Sequence, residues 1–181
     1  MKLVEQVISG PQRAILKSTS TMNLFLGGVG SGKTHLLGII TYRFIKYFPH
    51  VRGFIGANTS MQLTQSTLFR IREYWKSIGV VEYDKSASPH GQYIVNKQPP
   101  AHFNTESHNF DNYYNIISFI NGCVIFVGSL ERSGPHSGKE FGWATLDETW
   151  ETREEDVKEI IIARIRQSGM YLVICFRYLQ K

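Results

Sequence analysis

Cysteine is scarce in this chain: two residues, Cys123 and Cys175, among 181. Both sit inside apolar, strand-like runs. That placement predicts buried thiols and excludes a disulfide framework or a cysteine-rich metal site. Such cysteine usage suits a cytosolic protein. Long apolar stretches are missing too, which excludes a transmembrane helix. The first six residues, Met1 to Gln6, carry an early acid and no extended apolar core, which argues against a signal peptide. Basic residues are scattered, with no run of five or more, so there is no polybasic tail. Repeats and low-complexity segments are absent, excluding solenoids and disordered linkers.

What remains is the composition of a globular domain. Hydrophobic residues make up 42% and charged residues 19%, and the length suits one α/β domain with a real core. The formal net charge of +5 permits a polyanionic partner without requiring one.

Residues 27–34 read Gly-Gly-Val-Gly-Ser-Gly-Lys-Thr. Gly27, Gly32, Lys33 and Thr34 fill the template of a phosphate-binding loop, with Gly28 and Gly30 as further glycines and Val29 and Ser31 between them. The flanks agree. Asn23–Leu26 is a short apolar run before the loop, and Leu36, Leu37, Ile40, Phe44 and Ile45 follow at helical spacing. Glycines let backbone N–H groups converge on phosphate oxygens, and the helix N-terminus adds a favourable dipole. In such a loop Lys33 reaches the β/γ-phosphates and the Thr34 hydroxyl ligates Mg²⁺. The loop predicts binding of a nucleoside triphosphate.

Along the chain, residues 3–19 read as an amphipathic lead-in broken at Gly10-Pro11. Strands are predicted at 22–26, 51–57, 92–95, 143–146 and 171–176, and helices at 33–47, 60–77 and 152–168. The third helix is predicted to start with a Thr152/Glu155 capping box. In the second, Leu63, Leu68, Ile71 and Trp75 mark the buried face. Residues 85–112 read as a long polar excursion. Asn121-Gly122 between apolar runs predicts a β-hairpin with a type I′ turn. Strands alternating with helices predict an α/β fold: a mainly parallel sheet flanked by helices on both faces, of the P-loop NTPase kind, with a hairpin excursion.

Trp143–Leu146 ends in two consecutive carboxylates, Asp147 and Glu148. An acid at a strand's C-terminal end lies beside the phosphate loop in this type of fold. Asp147 is the candidate Mg²⁺ ligand and Glu148 the candidate base for an attacking water. An Asp-Glu pair opening a helix is the alternative role. The adjacent acids point away from kinases, which transfer phosphate to a substrate and have no general need of the second acid. The Asn-Lys-x-Asp signal of small GTPases is absent. ATP hydrolysis coupled to work on a macromolecule fits best.

Three further features carry a resemblance. Pro11-Gln12 precedes the first strand by about ten residues. Gly138-Lys139-Glu140 leads into the Asp147-Glu148 strand. Arg164-Ile165-Arg166 lies just before the last strand. Together with the loop and the acids, this pattern resembles the ATPase domain of the large terminase subunit of tailed bacteriophages, over nearly the whole chain. The resemblance implies a single ATPase domain over 1–181, with Gln12 reading adenine and Arg164 and Arg166 as an arginine pair near the catalytic sheet. Two positions depart from the pattern: Val29 and Ser137 stand where many family members have arginine. Arg132 and Lys139 are the nearest cations that could serve as a finger to a neighbouring subunit's γ-phosphate.

The resemblance further implies ATP and Mg²⁺ as cofactors, double-stranded DNA as the partner, and a homo-oligomeric ring on a capsid portal. A small terminase subunit would accompany it, in the cytoplasm of an infected bacterial host, with no membrane. No nuclease acid cluster is visible in this sequence, so a nuclease is expected in a separate domain or chain. Other readings of the same residues are a helicase-like DNA motor, or a binding switch in which ATP sets conformation without hydrolysis. His90, His102 and His108 fit no compact zinc spacing and are expected on a surface loop.

Overall fold

The structure is a computed structural model. It describes residues 8–28, 30–106, 108, 110–131, 139–149, 152, 153, 155, 157, 158, 161 and 164–166, and the backbone of 171–177. The loop residue Val29, the finger candidate Arg132, the departure at Ser137 and most of the helix expected at 152–168 lie outside the described residues.

Helix α1 spans Gly10–Lys17. Gly10-Pro11 opens this helix; it does not break one. Ser9 is the N-cap and forms a capping box with Gln12, while proline is accommodated in the first turn, where its missing N–H has no partner to lose. Strand β1 (Met22–Gly27) leads through the loop into α2 (Lys33–Tyr47), then β2 (Arg52–Ala57). Next come α3 (Ser60–Gln62), a π-turn (Leu63–Thr67) and α4 (Leu68–Ser77). Four strands follow, β3 (Tyr93–Val95), β4 (Ile116–Phe119), β5 (Val124–Ser129) and β6 (Trp143–Asp147), with β7 (Tyr171–Arg177) last.

The seven strands form one sheet in the order β1-β7-β6-β2-β5-β4-β3. The first five are mutually parallel, and β4 and β3 are antiparallel additions at one edge. Parallel pairing of β6 with both β2 and β7 puts Asp147 at the sheet's C-terminal edge, level with Ala57.

Strands β2, β5 and β6 alternate between two cores, as a period of two demands. Phe25, Ile55, Ile125, Val127 and Trp143 face α2 and α4, with Leu36, Leu37, Ile71 and Trp75. Phe54, Phe126, Ala144 and Leu146 face the opposite way, against Phe141 and Ile161. In the segment expected to be the third helix, Val157 N–H reaches the Arg153 carbonyl (3.3 Å) and Ile161 N–H reaches that of Val157 (3.0 Å), a helical spacing. The hydroxyl of Thr152 donates to Asn58 Oδ1 at 3.0 Å.

The hairpin differs from expectation in its turn. Gly122 N–H reaches the Phe119 carbonyl (3.0 Å), and Phe119 N–H reaches that of Cys123 (2.9 Å). Gly122 has φ +85°, whereas Asn121 is not among the positive-φ residues. A type I′ turn needs both. The connection is a turn at Ile120-Asn121 followed by a left-handed glycine. Asn121 serves instead as a brace, its side-chain amide donating to the Ile45 carbonyl of α2 at 2.7 Å.

Two close contacts fix α2. Trp143, fully buried, lies directly against Gly53 and 5.2 Å from the Phe44 ring of α2. A Cβ on Gly38 would stand 3.0 Å from Tyr74, so glycine lets α4 approach α2 closely. These contacts set α2 above β6 and bring α4 alongside.

Candidate nucleotide site

The loop turns on left-handed glycines. Gly30 has φ +77° and Gly32 φ +76°. Gly32 is the N-cap of α2, and a Cβ there would stand 2.6 Å from the Gln12 amide nitrogen. At Gly27 a Cβ would collide with the Ser31 hydroxyl. The first intrahelical bond of α2 is Leu36 N–H to Gly32 carbonyl, 2.9 Å. The amides of Lys33, Thr34 and His35 precede it, as an anion site at a helix start requires.

Lys33 is buried, and its ammonium donates to the Gly27 (3.1 Å) and Gly28 (2.9 Å) carbonyls. Thr34 donates its hydroxyl to Asp147 Oδ2 at 3.1 Å. Thr67, in the π-turn, donates to the same oxygen at 2.9 Å. Asp147 is 1% exposed. Its other oxygen, Oδ1, is buried without a hydrogen-bond partner among the described residues. Burial pushes the Asp147 carboxyl above the ordinary carboxylate range. Hydrogen bonds from Thr67 and Thr34 oppose that shift, with Lys33 and the Glu148 amide adding weaker support. A buried carboxylate with a bare oxygen beside a hydroxyl is a donor set that suits Mg²⁺.

Glu148 has φ +52°. That is costly for a residue with a Cβ, and here the chain turns sharply out of β6. Glu148 lines an open cleft of about 740 Å³ with Gly30, Gly32, Lys33 and Thr34. Its opposite wall is Ser66, Arg70, Glu73, Tyr74 and Ser77 of the π-turn and α4, with His35 at the helix start. The structure thus brings together Gly27, Gly28, Gly30, Ser31, Gly32, Lys33, Thr34, Asp147 and Glu148. The α4 wall and Thr67 were missed by sequence reasoning. Arg70 reads there as an ordinary helix-surface cation, and it does pair with Glu73 (3.2 Å).

Gln12 stands beside the loop, in the first turn of α1. It is 5% exposed, accepts from Ser9 N–H at 2.9 Å and donates to the Gly32 carbonyl at 3.1 Å. Its amide oxygen closes the capping box of α1, and its amide nitrogen ties α1 to the loop.

Arg164, Arg166 and Lys139 stand outside this cleft. Phe141 N–H donates to the Arg164 carbonyl (2.8 Å) and Arg166 N–H to the Phe141 carbonyl (3.0 Å). Phe141 precedes β6 and Asp147 ends it, about 20 Å of extended chain away. Arg164 and Arg166 therefore lie beyond reach of their own cleft. Lys139 stacks 4.6 Å from the Phe126 ring centroid in a separate cleft with Arg52 and Phe110. Burial there lowers its pKa.

No protein-family model matches the sequence, and no curated protein is similar to it. Solved structures are similar. The large terminase of a thermophilic bacteriophage superposes with a TM-score of 0.68 at 16% identity, covering 94% of this chain and 39% of that one. The large terminase ATPase domain of Thermus phage P74-26 gives 0.62 at 16% identity, covering 94% of this chain and 64% of that domain. The fold is that of a large terminase ATPase domain. The UvsW helicase of bacteriophage T4 is a more distant likeness, with a TM-score of 0.53 at 13% identity, covering 93% of this chain and 51% of that one. The first of these terminases has also been solved with ATP-gamma-S and with ADP. The present chain spans about two fifths of that terminase and under two thirds of the P74-26 domain.

Proposed function

We propose that this chain is an ATP-hydrolysing motor domain that drives double-stranded DNA into a viral capsid. The observation that carries the reading is the meeting of Thr34 and Asp147 beneath the phosphate loop, with Glu148 on the wall of the same cleft. In this reading the loop amides bind the phosphates. Lys33 leaves two neutral carbonyls for phosphate oxygens, which form stronger charge-assisted bonds. Thr34 and Asp147 would hold Mg²⁺, which supplies charge neutralisation at the β- and γ-phosphates. Glu148 orients the attacking water and takes its proton.

The terminase-like fold supports DNA as the partner. A homo-oligomeric ring on a capsid portal would follow, with a small terminase subunit, and with the nuclease on a separate domain or chain. The work would be done in the cytoplasm of an infected bacterium. Gln12 in this reading holds the loop in shape and does not read adenine.

The test is phosphate release from ATP by the purified chain, alone and with DNA, against Glu148→Gln. Stimulation by DNA, together with loss of turnover but not of ATP binding in the variant, supports the motor. Turnover that DNA leaves unchanged favours a DNA-independent ATPase. No turnover in the parent under any condition favours a binding switch.

A further inference from the structure

The π-turn between α3 and α4 carries a side chain that meets the metal acid. In a regular α-helix, each step of four residues advances about 40° beyond a full turn. Residues 63, 67, 71 and 75 would then spread over about 120° of the helix surface. Yet Leu63, Thr67, Ile71 and Trp75 are all buried. The wider turn, with Leu68 N–H bonding to the Leu63 carbonyl five residues back, reverses that drift between Leu63 and Thr67 and narrows the spread of the buried face. Thr67 is 1% exposed, while Leu68, the apolar residue beside it, is only partly buried. Burying a hydroxyl in place of a leucine is unfavourable unless it finds a partner. Its partner is Asp147.

We infer that Thr67 is a positioning residue for Asp147, holding Oδ2 so that Oδ1 is presented to Mg²⁺. Thr34 and Thr67 both donate to Oδ2, but their fates differ. Thr34 lies in the loop and would be drawn to the metal with the nucleotide. Thr67 is then the side-chain hydrogen bond that still fixes the carboxylate. Groups that orient a ligating carboxylate typically change metal affinity by about 10- to 100-fold when removed. The same helical segment supplies Ser66, Arg70 and Tyr74 to the cleft wall, so the wall and the metal acid are joined through one side chain. π-Turns recur at functional sites.

This inference rests on the proposed Mg²⁺–ATP reading, and the test separates the two. Thr67→Val, Thr67→Ala and Thr67→Ser are compared with the parent in three measurements: thermal stability without nucleotide, binding of a fluorescent ATP analogue in EDTA, and its binding across a Mg²⁺ titration. Val and Ala should leave metal-free binding within about twofold. They should raise the Mg²⁺ midpoint about tenfold or more, and Ser should restore it. Ala serves if Val fails to fold. An unchanged Mg²⁺ midpoint in Val or Ala overturns the positioning role, as does a Ser variant that behaves like Val. A parent whose binding ignores Mg²⁺ overturns the ATPase reading, and this inference with it.

Discussion

Thr34 and Asp147 lie 113 residues apart in sequence, and their side chains meet at 3.1 Å. One opens the helix after the phosphate loop, and the other ends the strand beneath it. The parallel register of β6 with its neighbours and the packing of Trp143 on Gly53 and Phe44 make the meeting possible. A carboxylate and a hydroxyl so placed can share one divalent cation.

Lys33→Ala should lower ATP turnover by more than about 10²-fold, the usual loss when a charge-stabilising donor is removed from a reacting centre. Phosphate release at matched thermal stability measures it. Turnover within about threefold of the parent would place the active centre elsewhere.

Glu148 should be strained for function. Glu148→Gln keeps the shape and should retain ATP binding while losing hydrolysis by about 10² or more. Glu148→Asn places a residue that tolerates positive φ at this position. It should raise the stability of the nucleotide-free chain by about 0.5–1 kcal/mol and also abolish turnover. Urea denaturation reads the first effect, and a variant no more stable than the parent argues against strain.

Gln12→Ala should weaken ATP and GTP alike, because the amide braces Gly32 and Ser9. Losing two neutral hydrogen bonds costs about 1–3 kcal/mol, shared between loop order and fold stability. Competition binding with both nucleotides checks it. A selective loss of ATP affinity would restore the adenine-reading role.

Arg70→Ala should reduce turnover by about tenfold, the worth of one charge-assisted contact, whereas Arg164→Ala should leave it near the parent value. If a neighbour supplies the finger, mixing a Lys33→Ala chain with an Arg132→Ala chain should restore activity. Lys139→Ala is the control for a cation held against Phe126. Activity restored by the Lys139→Ala chain and not by Arg132→Ala would reverse the assignment.

His108 should make the fold acid-sensitive. Its ring nitrogens are buried without hydrogen-bond partners among the described residues. Burial, with Arg52 nearby, holds its pKa below the ordinary histidine value. The unfolded chain therefore takes up a proton first as pH falls below about 6.5, and stability is lost until the folded form titrates as well. Thermal melts of the parent should fall more steeply from about pH 7.5 to about pH 5 than those of His108→Phe. Parallel curves would rule this out.

The sequence alone determined the elements with strong local signals. The phosphate loop, α2 over Lys33–Tyr47 and the strand ending in Asp147 were legible because glycine spacing and apolar periodicity are local properties. The hairpin strands were legible for the same reason, though the turn between them was not: Asn121 is recruited by the Ile45 carbonyl, a contact 76 residues away. Three matters only the tertiary structure decided. The brace from Gln12 to the loop was not visible until the fold brought Gly32 against it. Arg164 and Arg166 looked near the catalytic strand in sequence, but their backbones meet the wrong end of it. Thr67 looked like a polar neighbour of the core residue Leu68, until the fold put its hydroxyl on Asp147. In each case the deciding quantity was a contact between distant segments. Sheet register and helix packing set such contacts, and no local pattern of residues encodes them.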